Sequence, residues 1–399
     1  MKGASSSSCP IRRSWFFCVD KINLLYVITK LELGGAQKQL LSLIQGLDRA
    51  RYNIFLFAAR EGILMDDALA VPGLRVHRSL FLERAVNPFL DIPAFFELAF
   101  FIRREKIDIV HTHSSKAGIL GRFAAAAAGV RAIYHTVHGW PFHDFQFPPA
   151  RWFFVSLERC AAAVTTRIIV VSEHDKTRGL KYGIGCDGRY SLVRYGIDAA
   201  AFEEAIPAAR KSLGIPEGVP VAAMISCFKP QKAVQDLITV ARDVCAVRKD
   251  ALFMIAGDGT RRRAISKLIR AYGLKGNVLL LGWRRDIPEI LASCDVFILT
   301  SLWEGMPIAV IEAMAASRPV IVTDTGGVRE LVRDGDTGFI VPCRDTGAMS
   351  RRLLTLFHDP AMRARIGNKA RDSLKDDYSA RRMAQETQRL YGTAAGSLP

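Results

Sequence analysis

Glu304 and Glu312 bracket the run Glu304-Gly305-Met306-Pro307-Ile308-Ala309-Val310-Ile311-Glu312, which follows the β-branched segment Val296–Thr300. Pro307 suits a first helical position, where its missing N–H costs nothing, and Gly305 lets the backbone approach a ligand. The amides of Met306, Ile308 and Ala309 then project from a helix N-terminus, a ready site for a phosphate. Glu304 falls in the loop and Glu312 inside the helix, so they are not a pair of carboxylates sharing one proton. They suit two separate hydroxyl-bearing groups on either side of a phosphate, because an ionised carboxylate accepts hydrogen bonds from neighbouring hydroxyls. An isolated pair would equally read as a helix-entry charge and a solvent-facing residue.

Gly34-Gly35 sits between the strand Leu24–Thr29 and the helix Gln37–Leu47. Amides without side chains there can meet a diphosphate, although a plain turn explains the same pair. Gly257-Asp258-Gly259 continues as Thr260-Arg261-Arg262, so the G-x-G-x-x-G fingerprint of nicotinamide and flavin sites is missing. His111 and His113 alternate onto one face of a strand, but no carboxylate or thiol completes a tetrahedral set with them. Asp334-Gly335-Asp336 reads as a turn between a helix and Phe339–Val341. The expectation is therefore no metal and no cofactor.

These groups need elements to carry them. Short β-branched runs at Ile22–Thr29, Ile54–Ala58, Ile107–Thr112, Ala132–Thr136, Ile168–Ser172 and Ser191–Arg194 alternate with helical patterns. After Pro207 and Pro216 the pattern restarts at Val219–Ser226, Ala251–Ala256, Val278–Leu281, Val296–Thr300 and Pro319–Val322. Such alternation predicts two α/β halves, each a doubly wound parallel sheet. The expected organisation is a flexible segment at 1–19, a first domain at 20–200, a linker at 201–216, a second domain at 217–392 and a flexible tail at 393–399. A terminal helix is expected over Ala380–Tyr391. Open parallel sheets bind ligands beyond the carboxyl ends of their strands, so two facing sheets would enclose a cleft there.

The chain has 399 residues, half of them hydrophobic, and a net charge of +16, which excludes a mainly disordered protein and points to an anionic partner. No helix-turn-helix, zinc-finger or aromatic RNP motif is present, so nucleic acid is not the expected one. The eight cysteines are scattered without a CxxC pair, as in a cytosolic protein with reduced thiols. No stretch reaches the length of a spanning helix. Aromatic and basic residues do mix in Phe81–Arg104 and Phe142–Arg159, a composition suited to an anionic membrane interface or to plain core packing.

Glu304-x7-Glu312 within S-x-x-E-G-M-P-I-A-V-I-E-A-M-A resembles the signature of retaining GT-B glycosyltransferases of family 4. Gly34-Gly35-Ala36-Gln37, Ala256-Gly257-Asp258-Gly259, Leu281-Gly282-Trp283 and Gly326-Gly327-Val328-Arg329-Glu330 are similar to further segments of that family, in the same order. The resemblance implies two Rossmann-like domains facing across a cleft. It places the transferred sugar at Glu304, the ribose at Glu312, and a hydrogen bond near the donor sugar at His113. The family's diphosphate clamp reads R-x-x-x-x-K-G, and here Lys232 matches the lysine while Cys227 and Ala233 replace the arginine and glycine. Lys229 is the expected replacement charge. Lys116 and His138 are expected to face the acceptor, Lys116 equally suiting a solvated surface.

The activity implied by the resemblance is that of a cytoplasmic, metal-independent hexosyl or N-acetylhexosaminyl transferase, peripheral at the inner face of the cytoplasmic membrane. Its implied partners are a nucleotide diphosphate sugar, UDP-linked, and a lipid-linked saccharide. A nucleotide-sugar epimerase, a noncatalytic nucleotide-sugar sensor and a nucleic-acid-binding protein stand as the alternatives.

Overall fold

A computed structural model of the protein describes residues 21–395, so the segment at 1–19 and the last residues of the tail lie outside the described residues. The first unit contains β1 (Ile22–Val27), β2 (Tyr52–Ala59), β3 (Leu74–Ser79), β4 (Ile109–His113), β5 (Ala132–Val137), β6 (Arg167–Val170) and β7 (Tyr190–Leu192). They form one parallel sheet in the order β3-β2-β1-β4-β5-β6-β7. The second contains β8 (Val221–Ile225), β9 (Leu252–Ala256), β10 (Val278–Gly282), β11 (Val296–Leu299), β12 (Val320–Thr323) and β13 (Gly338–Val341), ordered β10-β9-β8-β11-β12-β13. Both are doubly wound, with the chain reversing direction next to β1 and β8.

Helices cover both faces of each sheet, so the strands are apolar on both sides. Along β1 and β2, Leu24, Tyr26, Ile54 and Leu56 pack into one layer, while Leu25, Val27, Phe55 and Phe57 pack into the opposite one. This period of two produces the short unbroken apolar runs that mark the strands in the sequence. Leu74–Ser79 escapes that test: it is an edge strand, and its basic residues interleave with apolar ones over a half-wet face.

Two boundaries differ from the sequence expectation. Residues 201–216 hold short helices, and Arg210 donates to the carbonyls of Ser293 (2.9 Å) and Val219 (3.1 Å) and pairs with Asp295 at 2.9 Å. Phe202, Leu213 and Ile215 join the second core, so the linker is packed onto that unit. The final helix, Ala380–Ala395, returns to the first unit, where Met383, Ala384 and Tyr391 enter its core. The Tyr391 hydroxyl lies 2.5 Å from His111 Nδ1 and 2.9 Å from the Tyr26 hydroxyl, which fixes that return. Burial of those polar groups is compensated because each has a partner.

Candidate active site

The carboxyl ends of the two sheets face each other across a cavity of about 180 Å³. Glycine makes the approach possible. A Cβ on Gly35 would come within 2.9 Å of the Ile308 side chain, and one on Gly305 within 2.9 Å of the Gly139 nitrogen. On another side, the Glu330 carboxylate accepts hydrogen bonds from the amides of Glu173 (3.1 Å) and His174 (3.0 Å), capping a helix of the first unit from the second.

Glu304 is held tightly at the cavity wall. Its Oε1 lies 2.5 Å from Lys232 Nζ and accepts from Ser301 Oγ at 2.6 Å, and Gln231 Nε2 stands 3.4 Å from Oε2. The loop rests on Gly326, whose φ of +51° favours glycine and whose added Cβ would lie 1.9 Å from the Glu304 carbonyl. Burial by itself would lower the Lys232 pKa. The Glu304 charge, with Cys227 and the Glu304 hydrogen bond, more than offsets it, so the ammonium persists.

Glu312 lies on the helix Ile308–Ala315 and lines the same cavity, although its side chain is almost wholly buried. Burial raises its pKa and Lys38 opposes the rise. Among the described residues its carboxylate accepts no hydrogen bond, so its acceptor capacity is open to the cavity. Pro307 is the residue before the helix rather than its first, with extended backbone at φ −78° and ψ 101°. Ile308 and Ala309 are therefore the first helical residues, whose amides have no carbonyl one turn back to bond. Met306 through Ala309, with Gly34 and Gly35, all line the cavity between the two glutamates.

The histidines fall differently from the expectation. His138, at the end of β5, lines the cavity, whereas His113 is buried behind it with Nδ1 2.9 Å from His138 Nε2. His138 Nδ1 in turn meets the Tyr195 hydroxyl at 2.8 Å, and Tyr195 also lines the cavity. Of the two rings it is therefore His138 that reaches the cavity, with His113 holding it from behind. Burial lowers the His138 pKa to about 4, so this ring is neutral at ordinary pH.

Lys229 also moves. Lys229 turns away from this cavity into a neighbouring one, 3.7 Å from Glu32, because Lys229 and Lys232 stand at opposite ends of a single 3-10 turn. Lys116 lines that second cavity and is paired with Asp91. Asp334 and Asp336 form the expected turn. Asp334 Oδ1 accepts from the Ile340 amide at 2.9 Å, and Asp336 pairs with Arg333 at 3.1 Å and Lys369 at 2.6 Å.

Sequence reasoning missed Lys38, Arg284 and Tyr195 in the cavity between the sheets, and Asp175 in an adjoining polar pocket. Arg284 directly follows the segment Leu281-Gly282-Trp283 at the carboxyl end of β10, so strand position was a usable signal. Asp175 was not legible: its carboxyl is raised to about 7 by burial, with the Ser172 hydrogen bond opposing.

Residues 33–201 match the family described as Glycosyltransferase Family 4, and residues 205–373 match Glycosyl transferases group 1. The chain is 33% identical over 355 residues to an Escherichia coli UDP-Gal:alpha-D-GlcNAc-diphosphoundecaprenol alpha-1,3-galactosyltransferase, covering 86% of this chain and 90% of the relative. It is 26% identical to a Campylobacter jejuni N,N'-diacetylbacillosaminyl-diphospho-undecaprenol alpha-1,3-N-acetylgalactosaminyltransferase, over 80% of this chain and 86% of that one. Among solved structures, Anabaena HepE in complex with UDP and glucose superposes with a TM-score of 0.81 at 19% identity, covering 93% of this chain and all of that one (100%). WaaG, a glycosyltransferase involved in lipopolysaccharide biosynthesis, gives a TM-score of 0.77 at 14% identity, covering 92% and 99%. Because the two family matches divide along the two sheets and the E. coli relative aligns along nearly its whole length, the protein belongs to the family 4, group 1 glycosyltransferases, with the GT-B fold.

Proposed function

We propose that this enzyme moves a hexosyl or N-acetylhexosaminyl group from a UDP-linked sugar to a lipid-linked saccharide, with retention at the anomeric carbon and without a metal ion. The observation that carries the reading is the placement of Glu304 and Glu312 on one cavity with the free helix amides of Ile308 and Ala309 between them. An acceptor for a sugar, donors for a diphosphate and an acceptor for a ribose thus share one cavity. The activities of the E. coli and C. jejuni relatives, both on diphosphoundecaprenol-linked sugars, support a lipid-diphosphate acceptor, and the former supports a UDP donor.

As the glycosidic bond to the diphosphate breaks, negative charge grows on the leaving oxygen. Lys232, the amides of Ile308 and Ala309, and Arg284, which is itself paired with Asp286, are the donors that line the cavity and can stabilise it. Glu304 already accepts from Lys232 and Ser301, so it serves as a fixed acceptor for a sugar hydroxyl and is not assigned as a covalent nucleophile. Retention then has the acceptor hydroxyl approach from the leaving-group side. The test is transfer from UDP-, GDP- and ADP-sugars to a polyprenyl diphosphate saccharide, with the product anomer read by NMR and the assay repeated in EDTA. A UDP-sugar giving the retained anomer in EDTA is expected. An inverted anomer, or activity lost in EDTA and restored by a divalent ion, would overturn the mechanism.

A lipid-linked acceptor stays in its bilayer, so the enzyme must come to it. Among the described residues no helix is long and apolar enough to cross a membrane. The helix Pro88–Arg104 instead exposes Phe89, Ile92, Phe96 and Phe100 along one stripe, ending in Arg103 and Arg104. We place this face on the anionic cytoplasmic leaflet, aromatics in the acyl boundary and guanidinium groups at the headgroups. The enzyme should sediment with anionic vesicles at low salt and release at about 1 M salt, where screening acts within about 3 Å. Replacing Phe96 and Phe100 with serine should weaken that binding. A protein that stays wholly in the supernatant at low salt would rule the placement out.

A further inference from the structure

Beside the donor cavity lies a second, of about 460 Å³, between the ends of β1 and β4 and the helix Pro148–Ala163. Four cations line it, Lys30, Arg84, Lys116 and Lys229. Only two carboxylates answer them, because the third, Glu158, is neutralised by Arg122 at 2.6 Å in the interior. Glu32 holds Arg84 (2.7 Å) and Lys229 (3.7 Å), and Asp91 holds Lys116. Lys30 has no carboxylate partner among the described residues. The cavity therefore carries excess positive charge.

Backbone adds to it. The helix Ser115–Ala127 begins at this cavity, with Ser115 and Lys116 in its lining. Ser114 before it is held at φ +63°, a strained conformation for a residue with a side chain, and its hydroxyl is tied to that of Thr29 at 2.7 Å. The tie fixes the helix start, where the Ala117 amide donates to Thr29 Oγ1 at 3.3 Å and those of Ser115 and Lys116 have no carbonyl one turn back to bond. The opposite wall is apolar, built from Ile119, Leu120, Phe153, Phe154 and Leu157. Phe153 is 57% exposed, and Phe147 and Trp152 beside it are also exposed, so this wall continues onto the outer surface.

A cavity with a cationic end and a hydrocarbon wall that opens outward fits an anion carrying a branched apolar chain. We infer that it binds the diphosphate and first isoprene units of a polyprenyl diphosphate, the lipid end of the acceptor. The inference rests on the glycosyl-transfer reading and deepens it. One short turn joins the two sites, with Lys229 in this cavity and Lys232 in the donor cavity. A sugar attached to a diphosphate held here would reach past Gln37 and Gly34 toward Glu304.

Farnesyl diphosphate, a soluble isoprenoid diphosphate, is the probe. Calorimetry on the full chain should show it binding about tenfold more tightly than inorganic diphosphate or farnesol, since each carries only one of the two recognised features. Lys30→Ala and, separately, Phe153→Ala should each weaken it several-fold to about tenfold while leaving thermal stabilisation by UDP unchanged. Lys30 is half-buried and Phe153 exposed, so both variants are expected to fold. Equal binding of inorganic diphosphate, displacement of the probe by UDP, or insensitivity to both substitutions would overturn the inference. If UDP stabilises the protein and farnesyl diphosphate does not bind, the cavity assignment alone fails. If no nucleotide or nucleotide sugar stabilises it, the transfer reading fails first.

Discussion

Glu304→Ala lowers kcat for transfer by about a hundredfold to a thousandfold, the cost of removing one preorganised polar group from a reacting centre. The split between parameters is as informative as the size. Glu304 is the counter-ion of Lys232, at 2.5 Å, so its loss frees an ammonium beside the donor diphosphate. Donor KM is therefore expected to stay level or fall while kcat collapses. Glu312→Ala should do the reverse, raising donor KM by about tenfold with a smaller change in kcat, because the ribose it would meet takes no part in bond breaking. Glu304→Gln keeps the shape and one acceptor oxygen, so it should retain more activity than alanine. Steady-state kinetics with near- and far-UV circular dichroism as a folding control reads all three. Unchanged rates in both alanine variants would remove the carboxylates from the site.

The sequence makes the two sheets legible because their buried strands are short apolar runs, and it makes Glu304 and Glu312 legible because one loop and one helix start carry them both. Contacts formed across the chain are another matter. His138 and His113 both follow strands and both look polar and local. Only the return of the chain past Tyr195 shows which ring faces the cleft and which supports it. Lys229 and Lys232 are three residues apart, and the sequence cannot show that a left-handed Ala233, at φ +43°, ends a turn that sends them into separate cavities. The terminal helix is visible as a helix, but its docking on the first unit depends on Tyr391 meeting His111 and Tyr26, groups 280 and 365 residues away. Asp175 and Arg122 carry no motif at all. Their burial is a property of the packed core and cannot be read from their neighbours in sequence.

That buried polar core makes the enzyme acid-labile well above the range in which carboxylates titrate. His111, His113, His135 and His138 are all buried, and burial is the first cause of each lowered pKa, to about 3 for His111 and about 4 for His138. In the unfolded chain they return to the ordinary value near 6.5. Between about pH 6.5 and 4 the unfolded state therefore binds more protons than the native state, and stability falls as pH falls. Asp175 works in the opposite direction over the same window. Its native carboxyl, raised to about 7 by burial, is protonated before the unfolded one, so it takes back roughly one proton. His143 and His174, also lowered by burial, add to the histidine side. The histidines outnumber the opposing carboxyl, so at about 1.4 kcal/mol per proton the slope exceeds about 1 kcal/mol per pH unit. Against a typical stability of about 5–15 kcal/mol, that is a large loss over about one to two pH units. Urea titrations at pH 7.5, 6.5 and 5.5 measure the slope directly. Asp175→Asn should steepen it by about one proton, since the opposing group is gone. A slope below about 1 kcal/mol per unit would mean that these histidines are hydrated or charged in the native protein. His138 would then be a cation at the cleft, and the neutral ring beside Glu304 would have to be abandoned.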